Sequence, residues 1–492
     1  MGWWVGPRRS RDKIICGIPT VCYDDSMKIL GIYFKSHVEA SMVEENWKEK
    51  IEKMEKVIKR WQNRNLSLIG KIIVAKTFLL SIWTYTLQAL SLPEKVLSTI
   101  DSMIFRFLWQ KKHSNKRAFE KVKRAVLCLP KDEGGLDMIS CRDQQAVLLI
   151  KWLNKSKRQY EIADLFFKRY GGIERFIECN PKNDDINIEF IPSSFWCDVA
   201  KQWQYIRKKI INFSDYNIME QTLFHNELIT FKNRTLNLLR WQRSGLHYVR
   251  DVVTNGQLLS LEEIKVKTGD YASIVFDYHA VKTALANARC QYNDSDQTNN
   301  LRDSLINLLE MSNKNLRGEL NHQKNIQICG ASFWQRKYNI DTIRRFSEIY
   351  TATKETRLRV LQFKILHNIY PTNIVLNKMK IKSTELCETC RVKDYIDNFF
   401  IYCQKINGFW HHVSNTILHY TNKTFEMTET NILMGFVRQY KGYTQNVIAK
   451  ANHILLIAKI SISKMRYRNE KYCKNVFRIF DEEMFLRRAR LI

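Results

Sequence analysis

Between residues 46 and 87 the apolar positions recur with helical spacing. Trp47, Ile51, Met54, Val57, Ile58 and Trp61 fall three or four apart, which puts them on one face of a helix opening at Asn46, with lysines and glutamates opposite. Asn63, Arg64 and Asn65 form a turn into Leu66-Ser67-Leu68-Ile69-Gly70-Lys71. A second apolar run, Ile72 to Leu87, is broken only by Lys76 and small polar residues. The pattern predicts a helical pair with a rigid core. Upstream, Ile29 to Phe34 reads as a short apolar strand among turn residues. Downstream, Pro130 to Leu136, with two adjacent glycines, reads as a tight turn entering a helix that runs through Trp152. Helical spacing returns at 206–211, 236–239 and 281–288. Leu358, Leu361, Ile365 and Leu366 build an amphipathic helix over 357–366. His367 and Tyr370-Pro371-Thr372 end it, because the residue before proline leaves the helical region. The tail, from His453 through Met465 into Arg466 and Arg468, reads as helical too.

The expected fold class is therefore mainly α, a multi-domain helical chain with a short N-terminal strand. Seven prolines and seventeen glycines in 492 residues suit helices, and the length suits two to four domains. The segments read as 1–35, 36–155, 156–325 and 326–492. The core-free run Asn293 to Asn300 is the best linker, and Gly318 to Ser332 is a second join. No internal repeat and no glycine-rich phosphate loop is visible. Residues 156–325 say little beyond a helical connector.

Charge changes the picture. A formal net charge of +29 points to a polyanion partner, with nucleic acid ahead of an anionic membrane. Residues 47–76 carry nine Lys/Arg against three Glu, and residues 106–124 carry eight against Glu120 alone. The candidate phosphate contacts are Lys56, Lys59, Arg60, Arg64, Lys71, Lys111, Lys112, Lys116 and Arg117, acting as electrostatic positioners. Phe107 and Trp109 interleave with the second cluster, in a pattern that also suits base stacking. The core reading of these aromatics is preferred, with only the lysines meeting solvent. The uncharged run Thr77 to Pro93 carries Thr, Ser and Gln, so it reads as a buried helix rather than a membrane span. The N-terminus has neither a secretory apolar core nor a myristoylation pattern, since Gly6 stands where Ser or Thr is needed. Twelve scattered cysteines fit intracellular use, nuclear or cytoplasmic, not a disulfide framework.

Several of these residues, in order and spacing, resemble the non-LTR retrotransposon reverse transcriptases. They are Leu30-Gly31-Ile32, Asn46-Trp47, Trp61, Arg64-Asn65-Leu66-Ser67-Leu68, Gly70-Lys71, Tyr85, Pro93, Phe107-Leu108-Trp109 and Gly134-Gly135-Leu136. The resemblance covers roughly 28–153 and implies the thumb and its continuation, following the end of a palm. The family's aromatic-x-Asp-Asp turn holds two Mg²⁺ ions. Cys22-Tyr23-Asp24-Asp25 imitates it and is rejected. Its aromatic is one place late, the pair sits too close to Leu30-Gly31-Ile32, and too little chain precedes it for the strand bearing a third aspartate. The expectation is a chain that starts at the end of a palm, without a Mg²⁺ site, polymerase centre or endonuclease centre.

A second likeness lies in Cys387-x2-Cys390-x7-Asn398-x4-Cys403, which resembles the Cys-Cys-His-Cys zinc-knuckle-like motif of the same enzymes. Paired cysteines can chelate Zn²⁺ from a turn while a His and a Cys five apart close the site from a helix. Here Asn398 stands at the histidine position, and an amide is a poor zinc ligand. Either His411 or His412 supplies the fourth ligand, or water does, or the cysteines are buried reduced thiols without metal. Two functions follow. One is a nucleic-acid-binding remnant that holds template and primer, with RNA, DNA or a hybrid as partner. The other is a helical scaffold whose charge binds RNA incidentally. The sequence leaves oligomeric state open.

Overall fold

The computed structural model describes residues 2–3, 14–15, 18–21, 27–34, 40–109, 120–159, 161–269, 274–288, 300–341, 343–467 and 475–487. Asp24 and Asp25, the linker residues 293–299, and Lys111, Lys112, Lys116 and Arg117 lie outside them. The described residues are mainly α-helical, with strands of two to four residues. They divide into two compact units. One takes in Met1–Ile51, Ile82–Ser98 and Ser140–Lys324, the other Glu52–Ser81, Thr99–Ile139 and Asn325–Ile492.

In the first unit the helix Cys141–Gln159 packs against Ser194–Ile210, Leu301–Glu310 and Asn313–His322. Ala146, Leu149, Ile150 and Leu153 meet Val199, Trp203, Ile206, Leu305 and Leu316 in one apolar core. A smaller core around Trp241, Val252, Ile264 and Val281 lies beside two short hairpins, Thr230–Phe231 with Arg234–Thr235 and Val253–Thr254 with Gln257–Leu258.

The stretch expected as one strand, Ile29 to Phe34, is a hairpin instead. Met27–Ile29 pairs antiparallel with Ile32–Phe34. Leu30 and Gly31 turn the chain at φ 49° and 81°, the left-handed pair that a two-residue hairpin loop requires. The helix Ala40–Gln62 ties down this hairpin through Asn46, which is buried. Its amide accepts from Tyr33 N and donates to Tyr33 O, both at 2.9 Å. Replacing Asn46 by Ala leaves both backbone groups without that partner, at about 1–3 kcal/mol. The expected result is faster hydrogen exchange at the Tyr33 amide while the amides of Cys141–Gln159 keep their protection.

The second unit is built around Gln445–Tyr467, packed by Ile343–Ala352, Thr356–Leu366, Phe409–Thr421 and Val476–Arg487. Its inward face carries Ile448, Ala451, Leu455, Ala458 and Ile462. Ser67 caps Leu68–Val74 by accepting from Gly70 N at 3.1 Å. The next residues do not continue as a regular α-helix. Ala75–Leu79 widens into a π-turn, closed by Leu80 N donating to Ala75 O at 2.9 Å. Short pieces Ser81–Thr84 and Thr86–Gln88 follow. Leu79, Trp83 and Leu87 are buried as expected, yet the extra residue in the π-turn breaks the single helix read from Thr77 to Pro93. No helix among the described residues is long and apolar enough to cross a membrane.

The two adjacent glycines do separate work. Gly134 has φ 89°, and its carbonyl accepts from His367 Nε2 at 2.8 Å. A side chain on Gly135 would place Cβ 1.9 Å from Leu129 O. Only hydrogen fits there.

Candidate functional site

The cysteine cluster is held by a local fold legible residue by residue. Leu386 bridges Lys393, and Cys387 N donates to Val392 O at 2.8 Å. Arg391, at φ 57°, turns the chain back so that Arg391 N donates to Cys387 O at 3.0 Å. That knuckle presents Cys387 and Cys390 together. Cys403 arrives from the end of the π-turn Asn398–Tyr402, where its N–H donates to Asn398 O at 3.1 Å.

The three sulfurs lie within 4.8 Å of one another, and Cys387 Sγ stands 3.9 Å from Cys403 Sγ. Zn–S bonds of about 2.3 Å in a tetrahedron put sulfurs roughly 3.8 Å apart, so the cluster could hold a metal such as zinc. Asn398 occupies the remaining side, with its Oδ1 3.4 Å from Cys390 Sγ. Its Nδ2 turns away to Asp394 Oδ1, also at 3.4 Å. His411 is solvent-exposed on Phe409–Thr421. His412 directs Nε2 to Asp481 Oδ1 at 3.2 Å and packs on Phe477 and Phe480.

Two residues that the spacing did not single out complete the surroundings. Asp394, fully buried, accepts from Arg466 Nη2 at 2.9 Å and from Asn373 N at 2.9 Å. Arg466 Nη2 also reaches Cys387 Sγ at 3.3 Å. Burial opposes ionisation of the Cys387 thiol, but the N–H groups of Cys390 and Thr389, then Arg466, outweigh it and bring the thiol down to about 7. Burial pushes Cys403 the other way, to about 11. Three thiolates around a divalent cation would leave one negative charge, which the Arg466 guanidinium offsets; hydrogen bonds of this outer kind fix and tune metal ligands.

The cationic candidates divide by environment. Lys56, Lys59 and Arg60 are exposed on the last turns of Ala40–Gln62, and Arg64 is exposed just beyond them. Among the described residues none of the four forms an ion pair. Arg64 lies over the Trp61 ring at 4.6 Å, and Trp61 leans on Phe78 with ring centres 5.2 Å apart. Lys71 is placed differently. Its Nζ donates to Phe107 O at 2.9 Å and Leu108 O at 3.3 Å, closing the end of the helix Glu94–Trp109, and burial lowers its pKa. Phe107 is core, as the sequence reading preferred.

No protein-family model matches the chain. The chain is similar to the Arabidopsis thaliana protein named "Putative ribonuclease H protein", with 27% identity over 103 residues, which is 21% of this chain and 16% of that protein. The matched stretch thus spans about a sixth of the relative's length.

Proposed function

We propose that this chain is a nucleic-acid-binding protein of retroelement origin, derived from the thumb and C-terminal region of a non-LTR reverse transcriptase. It holds template or primer strands and carries no polymerase or endonuclease centre of its own. The observation that carries this is the exposed cluster Lys56, Lys59, Arg60 and Arg64 beside Trp61, without an ion pair among the described residues, on a chain of net charge +29. Unpaired cations at a surface release counterions when they meet phosphates. The likeness to a relative named for ribonuclease H, an activity directed at RNA, supports a nucleic-acid role. The test is binding of labelled single-stranded RNA, duplex DNA and an RNA–DNA hybrid across a salt series. Affinity that falls steeply with salt is expected. Weak binding, equal for all three and insensitive to salt, would leave a helical scaffold.

In this reading Cys387, Cys390 and Cys403 hold a structural Zn²⁺, with Asn398 facing the fourth position and Arg466 balancing the charge. The ion would cross-link the knuckle to the π-turn and supply no reaction chemistry. Asn398→His gives imidazole in place of amide and should tighten zinc roughly tenfold, by the order that ligand and outer-shell changes command. Competition with a zinc-sensitive chelator dye reads this directly. Equal zinc content in wild type and Cys403→Ser would show that the cluster holds none.

A further inference from the structure

Residues 156–325, whose sequence reads only as connector, contain within the first unit a surface groove of about 730 Å³. That lies within the roughly 300–1,000 Å³ range of small-ligand sites. Its walls combine aromatic and cationic groups. Phe166, half-buried, lies tilted towards Trp196 with ring centres 6.5 Å apart. Phe190 carries the Arg169 guanidinium on its face at 3.6 Å. Lys168 and Arg243 stand exposed at the rim. Three cationic side chains line the groove against one carboxylate, Glu189. An anion is the natural guest.

The pairing of rings with cations narrows the chemistry. Phosphate alone would use the cations and leave the two phenyl rings idle, and an apolar guest would leave the cations idle. A nucleotide uses both features.

We propose that this groove takes one unpaired nucleotide of a bound strand. The base lies against Phe166 and the Arg169–Phe190 stack, and the flanking phosphates meet Lys168 and Arg243. Every base has a π-face, so the rings accept any base. This deepens the nucleic-acid reading and rests on it.

The test uses the full chain and a short single-stranded oligonucleotide carrying one 5-bromouridine, irradiated and mapped by peptide mass, with a nucleoside monophosphate as competitor. Cross-links in 161–192 and 239–247 are expected. Lys168→Ser with Arg243→Ser should cut that cross-link at least fivefold, with an unchanged circular dichroism spectrum. Tight binding with cross-links elsewhere, unaffected by this variant, would overturn the groove while leaving the chain a nucleic-acid binder. 5-Bromouridine monophosphate, irradiated in place of the oligonucleotide, cross-linked in the groove without any binding of oligonucleotide would do the reverse: the strand-binding reading falls and a free-nucleotide site stands.

Discussion

Changing Lys56, Lys59, Arg60 and Arg64 together to serine should make the slope of log K against log salt shallower by about 3. Each phosphate contact adds about 0.7 to that slope on single strands and about 0.9 on duplex DNA. Between about 50 and 200 mM salt the wild-type chain then loses roughly 50-fold more affinity than the variant. All four side chains are exposed and none is committed to an ion pair among the described residues. The fold therefore gives up little beyond the stacking of Arg64 on Trp61. A companion variant, Lys56→Arg with Lys59→Arg, keeps the charge and should keep the slope. Parallel salt dependence in the wild type and the serine variant would remove this surface from the interface. Lys71→Ser should behave otherwise. Its ammonium is spent on the carbonyls of Phe107 and Leu108, so stability falls while the slope barely moves.

The contrast between Lys71 and its neighbours shows where sequence reasoning reaches. Periodicity located Thr356–Leu366 and the body of Ala40–Gln62, which it opened six residues late at Asn46, because buried Trp47 and Met54, or Leu358 and Leu361, must recur with the helical turn. It gives no sign that a lysine will meet carbonyls 36 and 37 residues away. The cysteine spacing was legible for a related reason: the ligands are close in sequence, and the knuckle forms locally. Asp394 and Arg466 were not, since their pairing spans 72 positions and neither carries a spacing signal. The groove was hidden most fully. Phe166, Phe190 and Arg243 come from three separate segments, and no spacing in the sequence joins them. Leu30-Gly31 is a milder case. The glycine could have announced a turn, but the apolar residues on either side read equally well as one strand.

The second large effect concerns Lys459, which is 1% exposed in the core of the second unit. Its Nζ donates to Gln362 Oε1 at 2.7 Å and to Leu433 O at 3.0 Å. A neutral amine has two N–H groups for those two acceptors. An ammonium has three, and the burial that surrounds it lowers its pKa to about 7. Glu348 lines the same small cavity, but Arg438 Nε meets its carboxylate at 3.2 Å. In the unfolded chain the lysine titrates near its ordinary 10.5. Between these two values the unfolded state binds the extra proton, so stability must rise with pH, by about 1.4 kcal/mol per unit once the folded amine is neutral. From pH 7 to pH 9 the gain is about 2 kcal/mol. Below pH 7 the folded lysine is charged too, and this contribution levels off. His367, buried and lowered to about 4, adds dependence of the same sign only below its ordinary 6.5, outside this window. Cys387 does titrate within it, so the measurement is a difference. Urea denaturation of wild type and Lys459→Met at pH 7 and pH 9, under reducing conditions, isolates the lysine. The variant, which has no group to deprotonate there, should gain about 2 kcal/mol less than wild type over that range. Equal gains in both would mean that the folded lysine keeps its proton to pH 9, held by a partner stronger than one amide and one carbonyl.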